Sequence, residues 1–347
     1  MINRQLRVRA RPSGPVEDRH FELRTGPVPE LAEGEALIRV DWLGIDPTQR
    51  TWLNPSATYV QPVALGEVMR GSGVGQVVRS RSQLYRVGDW VYGLTGWQDY
   101  VVARESGVGG LNVAPPGVEP RAFLSVLGVN GLTAYFGMTR VAQAQTGKSV
   151  FVSAAAGITG SIAGQIAQIN GCHVIGSAGG PAKAKWVREV AGLDGCVDYK
   201  SEDLAAGLKA FAPSGLDIVF DSVGGNVLEA ALGAIAPHAH VVLNGSISSG
   251  YGEKSYGAGP ANYMELAFKR AKMEGFIFLD FLAEFPEAFA DLTSWLAQGL
   301  IQFEETIAEG LASAPRALQG LFEGRNIGKQ LVRVASDRDD ELALALQ

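Results

Sequence analysis

Cysteine and histidine are both scarce in this chain of 347 residues, which holds two cysteines and four histidines. Cys172 and Cys196 are too few for a disulfide scaffold, and they fit a reducing compartment such as the cytoplasm. The histidines lack the H-E-x-x-H spacing, and the chain has no C-x-x-C pair. We therefore expect no structural or catalytic metal site.

Positive charge is also in deficit, because 30 Lys and Arg stand against 36 Asp and Glu, a formal net charge of −6. A nucleic-acid-binding protein needs a basic face, so nucleic acid is an unexpected partner. No apolar run reaches the roughly 18 residues of a membrane span, so we expect no membrane partner. The first residues, MINRQLRVRARPSG, contain four Arg and no apolar segment, which argues against a secretory signal. A G-x-S-x-G motif is absent too, which leaves a hydrolase without its nucleophile turn.

Glycine and apolar residues are abundant instead, with 44 Gly and 46% hydrophobic residues. The length suggests about two domains. Residues 1–122 show alternating apolar and polar segments between Gly and Pro turns, for example Ala36–Trp42 and Gly73–Val78, which predicts a β-rich domain. Residues 305–347 contain the extended segment Lys329–Val334, and we expect it to return to this domain.

Residues 123–304 change character, because short β-branched runs alternate there with Ala-rich helical stretches. This alternation predicts βαβ units and therefore an α/β fold with a doubly wound parallel sheet. The predicted strands are Ser149–Ser153, His173–Ser177, Ile218–Phe220, Val241–Leu243 and Phe276–Leu279.

The strongest local motif lies between the first of these strands and a helix predicted over Ile162–Ile169. It reads Ala155-Ala-Gly157-Ile-Thr-Gly160, the fingerprint G-x-G-x-x-G with its first Gly replaced by Ala. Small residues let the backbone approach a pyrophosphate, which binds the free N–H groups and positive dipole of a helix N-terminus. The motif predicts a dinucleotide site; the alternative is a tight turn that binds nothing.

The residues after the second strand favour NADP(H) over NAD. An NAD enzyme carries an acid about 20 residues after the fingerprint, whereas this chain has Ser177 there, followed by Ala-Gly-Gly. Lys183, Lys185 and Arg188 come next, and a 2′-phosphate needs such cations. The alternative for these three residues is an ordinary solvated helix face.

Two polar, Gly-rich segments follow the later strands, where a doubly wound sheet binds its ligand. The first is Asp221–Gly225, which includes Ser222. The second consists of Asn244, Gly245, Ser246, Ile247 and Ser248. We expect both to line the cofactor crevice; the alternative is that they are plain Gly-rich loops.

Four segments carry the most specific pattern: Leu127–Gly137, Val152–Gly157, Phe220–Gly225 and Gly324–Lys329. With the β-rich first part, they resemble the medium-chain dehydrogenase/reductase superfamily. They are most similar to its zinc-independent leukotriene B4 dehydrogenase / prostaglandin reductase group, which includes curcumin reductases and plant double-bond reductases. The resemblance implies a Rossmann domain that binds NADP and a β-rich GroES-like substrate domain. It also implies no metal, because Asp46 and Met69 stand where zinc members carry Cys and His.

The resemblance also assigns cofactor contacts. Lys183 and Tyr199 match the residues that hold the 2′-phosphate, and Ser222 stands where the group often has Asn. Thr133, at the start of the linking helix, is the candidate for the nicotinamide carboxamide, or else an ordinary helix residue. The remaining expected cofactor contacts are Gly157, Ile158, Thr159, Gly160, Ser161, Asn244–Gly250, Phe276, Ile277, Phe278 and Asn326.

The activity that the resemblance implies is NADPH-dependent reduction of the activated C=C bond in α,β-unsaturated ketones or aldehydes. Negative charge then develops on the carbonyl oxygen, and a hydroxyl donor stabilises it. Tyr251 and a cofactor ribose hydroxyl are the candidates for this donor. Two alternatives stay open, a quinone oxidoreductase of the same superfamily and a non-catalytic NADPH-binding protein. Besides a small-molecule substrate, we expect a second copy of the chain as partner, in a homodimer.

Overall fold

The computed structural model describes residues 1–105, 110–253 and 259–334. The chain divides into two compact units. The first comprises Met1–Leu124, Glu305–Asn326 and the residues from Gln330 onward, and the second comprises Ser125–Glu304 and Ile327–Lys329. Residues 335–347, which we assigned to the β-rich domain, lie outside the described residues.

The first unit is built mainly from antiparallel strands. β3 is the longest and pairs with both β4 and β6, while β5 joins β4 to β7, and β1 and β2 form a separate two-stranded sheet. The strands are β1 (Ile2–Val8), β2 (Phe21–Pro27), β3 (Glu35–Ile45), β4 (Ser72–Ser80), β5 (Trp90–Leu94), β6 (Tyr100–Arg104) and β7 (Asn112–Val113).

The second unit alternates strands with helices. The elements are α1 (Val129–Phe136), β8 (Ser149–Val152), α2 (Ile158–Ile169), β9 (His173–Ala178), α3 (Pro181–Glu189), β10 (Gly195–Asp198), α4 (Leu204–Phe211), β11 (Leu216–Asp221), α5 (Gly225–Leu232), β12 (Ile235–Leu243), α6 (Glu265–Lys269), β13 (Lys272–Gly275) and α7 (Phe285–Ala297). The strands form one parallel sheet in the order β10-β9-β8-β11-β12-β13. The predicted doubly wound α/β fold is therefore confirmed.

The last segment of the chain returns to the first unit. It contains β14 (Glu305–Glu309), α8 (Ala314–Phe322) and β15 (Lys329–Arg333). β15 pairs antiparallel with β3, with Gln330 opposite Ile45 and Arg333 opposite Trp42. The predicted pairing of this extended segment with the β-rich part is confirmed.

Two predicted element boundaries are wrong. The strand expected over Phe276–Leu279 is instead β13, four residues earlier, and a 3₁₀ helix begins at Phe278. The prediction was wrong because this apolar run leaves the sheet. The Phe276 ring lies against Gly137, next to α1. The helix expected from Ile162 begins at Ile158.

The first unit has an apolar core around β3. Met69 and Trp97 are fully buried in this core.

The chain also contains short helical turns. The 3₁₀ helices are Asp18–His20, Pro47–Leu53, Pro120–Leu124, Ile247–Ser249, Phe278–Glu284 and Leu311–Ser313, and a π-helical turn covers Gly137–Val141. Within the part of the chain that the structure describes, none of the helices has the length and apolar character needed to cross a bilayer.

Candidate cofactor site

The strand order of the parallel sheet reverses between β8 and β11, and a ligand binds in the crevice beyond the carboxyl ends at such a point. Hydrogen bonds join the two strand ends there. The Ser153 hydroxyl donates to Oδ1 of Asp221 at 2.7 Å, and the N–H of Ser222 donates to the Ser153 hydroxyl oxygen at 2.8 Å. The turns after both strands are thus held as one rigid edge.

Asp221 organises the turn that follows β11. It is fully buried, and its carboxylate also accepts the backbone N–H groups of Val223 and Gly224 at 3.1 and 2.8 Å. Burial raises the pKa of Asp221, while the three hydrogen bonds act in the opposite direction. Its contacts all serve the turn, so Asp221 shapes the crevice.

The N-terminus of α2 presents backbone donors to this crevice. Gly157 is the N-cap residue, and no side chain caps the helix. The N–H groups of the first turn, from Ile158 to Gly160, therefore suit an anion. A Cβ on Gly160 would lie 2.5 Å from the carbonyl oxygen of Ala154, compared with 3.2 Å for a Cβ on Gly157. Gly160 is the residue whose side chain the turn excludes.

The end of β9 carries the residues expected at a 2′-phosphate. A Cβ on Gly179 would lie 2.5 Å from the Tyr199 hydroxyl and 3.1 Å from Cε of Lys200, so both side chains reach this strand end. Burial and the nearby charge of Lys200 lower the pKa of Lys183. Lys183 lies in the first turn of α3, which begins at Pro181, and two cationic side chains near one strand end suit an anion. Lys200 was not among the contacts predicted from the sequence.

The other predicted cations lie elsewhere. Lys185 is exposed and pairs with Glu189 at 3.7 Å along α3, and Arg188 donates to the Cys196 carbonyl at 3.4 Å. Ser177 is fully buried, so its hydroxyl does not face the crevice. Lys183, Tyr199 and Lys200 are thus the candidate contacts near this strand end, and the chemistry of their donors suits a 2′-phosphate.

The loop after β12 packs on the turn after β11. Nδ2 of Asn244 donates to Oγ of Ser222 at 2.9 Å, and the N–H of Ile247 donates to the Ser222 carbonyl at 3.1 Å. The N–H of Ser248 donates to the Val223 carbonyl at 3.1 Å. The two predicted Gly-rich segments are thus brought together at the crevice edge. Gly245 and Ser246 lie in the same loop, against the Tyr251 hydroxyl.

The remaining predicted contacts occupy three places. Thr133 is half-buried on α1. Phe276, Ile277 and Phe278 follow β13 and are half-buried. Asn326 belongs to the first unit and lies between α8 and β15.

The described residues are poorly suited to binding a metal ion. Across 1–105, 110–253 and 259–334, no three His, Cys, Asp or Glu side chains form a group able to hold a metal ion. Burial raises the pKa of Cys172 to about 11 and that of Cys196 to about 12, which disfavours the thiolates. Asp46 is the N-cap residue of the 3₁₀ helix Pro47–Leu53.

Two family models match the chain: an N-terminal domain of oxidoreductase over residues 4–111, and a zinc-binding dehydrogenase domain over residues 159–297. The NADPH-dependent curcumin reductase of Escherichia coli is 35% identical over 340 residues, which cover 96% of this chain and 98% of that protein. The chain belongs to the medium-chain dehydrogenase/reductase family. The resemblance drawn from the sequence is confirmed.

Two further proteins are similar to this medium-chain dehydrogenase/reductase along most of its length. The NADP⁺-dependent 2-alkenal reductase of Nicotiana tabacum is 36% identical over 89% of this chain and 90% of that protein. A crystal structure of CurA from Vibrio vulnificus in complex with NADPH is 38% identical, with a TM-score of 0.88 over 95% of this chain and 99% of that one. The fold is therefore shared along nearly the whole length of this chain.

Proposed function

We propose that this medium-chain dehydrogenase/reductase is an NADPH-dependent reductase of the activated C=C bond in α,β-unsaturated ketones and aldehydes. The observation that carries the proposal is that Tyr199 and Lys200 reach Gly179 at the end of β9, with Lys183 in the first turn of the helix that follows, where a 2′-phosphate is bound in this fold. The relatedness to a curcumin reductase and a 2-alkenal reductase supports the reaction class.

The second unit is the proposed NADP-binding domain. The pyrophosphate binds the N–H groups of Ile158, Thr159 and Gly160 in the first turn of α2, and Ser161, whose N–H donates to the Gly157 carbonyl at 2.9 Å, closes that turn. Lys183, Tyr199 and Lys200 bind the 2′-phosphate. The other proposed contacts are Thr133, Gly157, Ser222, Asn244–Ser248, Phe276–Phe278 and Asn326. The first unit is the proposed GroES-like substrate domain.

When bound, NADPH would supply the hydride that adds to the carbon β to the carbonyl group, and the α carbon would take its proton from water. The protein's part is to hold the reactants in place and to stabilise the negative charge on the carbonyl oxygen. Tyr251 is the proposed donor to that oxygen, and the cofactor ribose hydroxyl is the alternative donor.

A cytoplasmic homodimer is the proposed state. β13 is the outermost strand of the parallel sheet within the described residues, and all four of its residues are exposed. Tyr263, Phe268 and Leu282, which flank β13 in the sequence, are also exposed, at 59%, 67% and 60%. An open strand edge flanked in sequence by exposed apolar side chains suits pairing with a second copy. Sedimentation velocity at micromolar concentration tests this, and a single monomer boundary would contradict it.

The proposed activity is tested by following NADPH absorbance with a panel of enones, enals and quinones. Turnover of enones and enals is the expected result. Turnover of quinones alone would support the quinone oxidoreductase, and binding of NADPH with no turnover of any compound would support the non-catalytic protein.

A further inference from the structure

A lysine lies almost completely buried at the start of β15. Only 2% of Lys329 is exposed, and its ammonium donates to Oδ1 of Asn130 at 2.8 Å. Burying an ammonium is costly unless hydrogen bonds compensate, so this contact is an integral part of the second unit. Asn130 lies in the first turn of α1.

Asn130 also contacts the helix that forms the proposed pyrophosphate site. Its Nδ2 donates to the hydroxyl oxygen of Thr159 at 3.2 Å, and Thr159 lies in the first turn of α2. Three side chains thus connect a buried cation to the helix N-terminus.

The backbone fixes the lysine beside this turn. Gly328 donates its N–H to the Ala156 carbonyl at 2.8 Å, and its φ of +65° is one that glycine adopts readily. A Cβ at Gly328 would lie 1.9 Å from the carbonyl oxygen of Glu304, so only glycine fits. The position of Lys329 is therefore set by the chain itself.

The chemistry of the three groups fixes the direction of these two hydrogen bonds. An ammonium only donates, so the amide oxygen of Asn130 must face Lys329. The amide NH₂ must then face Thr159, whose hydroxyl oxygen accepts. This contact leaves the hydroxyl proton of Thr159 to be donated to another acceptor.

We propose that Lys329 is a positioning residue which, through Asn130, orients the Thr159 hydroxyl as a donor to the cofactor pyrophosphate. This inference rests on the proposed function, in which the N-terminus of α2 binds that group.

Asn130→Asp is the most informative variant. The carboxylate keeps the partner of Lys329 but accepts from Thr159 as well, so the hydroxyl proton turns away from the pyrophosphate. Calorimetric titration should show at least about ten-fold weaker binding of NADP⁺ and of 2′-phospho-ADP-ribose, the loss of one charge-assisted hydrogen bond. Binding of adenosine 2′-monophosphate, which lacks the pyrophosphate, should be unchanged, and so should the Tm.

Variants at Thr159 separate orientation of the hydroxyl from the added charge. Thr159→Ser should bind NADP⁺ like the unmodified protein, and Thr159→Ala should lose about ten-fold. Asn130→Asp should cause no further loss in the Thr159→Ala background. A full further loss there would show that Asn130→Asp acts by charge alone and would overturn the inference.

Lys329→Met should weaken NADP⁺ binding in the same direction, and Lys148→Met is its matched control. Lys148 is a partly exposed lysine of the same unit, paired with Asp217 at 2.9 Å, so its removal should leave binding unchanged. Unchanged NADP⁺ binding in Asn130→Asp, while the unmodified protein binds NADP⁺, would overturn this inference and leave the proposed function standing. Failure of the unmodified protein to bind NADP⁺ would overturn the proposed function and this inference with it.

Discussion

The backbone N–H of Ser246 donates to the phenolic oxygen of Tyr251 at 2.7 Å. Tyr251 has a φ of +52° and follows Gly250, whose φ is +70°, so two successive left-handed residues fold the loop back on itself. The contact with Ser246 uses a lone pair of the phenol and not its proton. The loop after β12 therefore holds the Tyr251 hydroxyl against the backbone of Ser246.

Tyr251→Phe tests whether this hydroxyl stabilises the developing negative charge. We expect kcat with an enone to fall about 100-fold, the usual cost of one oxyanion donor, because the interaction is made in the transition state. The Kd for NADPH should change little. Tyr263→Phe, at an exposed tyrosine, is the control. An unchanged kcat in Tyr251→Phe would assign the role to the cofactor ribose hydroxyl.

The protein should prefer NADPH to NADH, because Lys200 reaches the end of β9 and Lys183 lies in the first turn of the helix that follows. Lys183→Ala should raise the KM for NADPH about ten-fold or more, since it removes one charge-assisted contact, and should change the KM for NADH little. Lys185→Ala, whose ammonium pairs with Glu189, should behave like the unmodified protein. Equal use of both cofactors by the unmodified protein would refute this prediction.

Gly157 and Gly160 should respond differently to substitution. Gly157→Val places a side chain at the N-cap of α2, the proposed pyrophosphate site, and should abolish NADPH binding with the fold largely intact. Gly160→Ala forces a Cβ to within 2.5 Å of a carbonyl oxygen and should lower the free energy of unfolding by roughly 1–3 kcal/mol. Calorimetric titration and circular dichroism measure both effects. Native-like NADPH affinity in Gly157→Val would remove the basis of the cofactor assignment.

Activity should need no metal, because Asp46 and Met69 stand at the positions implied for zinc ligands and Met69 is fully buried in an apolar core. Prolonged chelation is expected to leave the rate unchanged. Elemental analysis that found stoichiometric zinc, with activity lost on its removal, would contradict this expectation.

Local sequence pattern was enough to predict the parallel sheet. β8 and β11 are almost entirely buried, so their residues form short apolar runs that stand out from the helices between them. The edge strand β13 was not predicted because its residues, Lys272–Gly275, are exposed and form no apolar run. The true start of α2 was missed because Ile158–Ser161, with its Gly and β-branched residues, is typical of a turn as much as of a helix.

Contacts between residues far apart in the chain could not be predicted from the sequence pattern. Lys329 and Asn130 are 199 positions apart, and no spacing rule connects them. Lys200 escaped for a similar reason, because its place beside Lys183 depends on the pairing of β9 with β10. Ala154 adopts a φ of +48° in the turn before α2, a conformation for which its residue type gives no signal.

The central claim is hydride addition to the activated C=C bond, and the product formed from a simple enone with NADPH deuterated at the transferred position tests it most directly. We predict a saturated ketone with deuterium on the carbon β to the carbonyl, measured by NMR and mass spectrometry. An allylic alcohol with deuterium on the carbonyl carbon, or no consumption of the enone, would contradict the account.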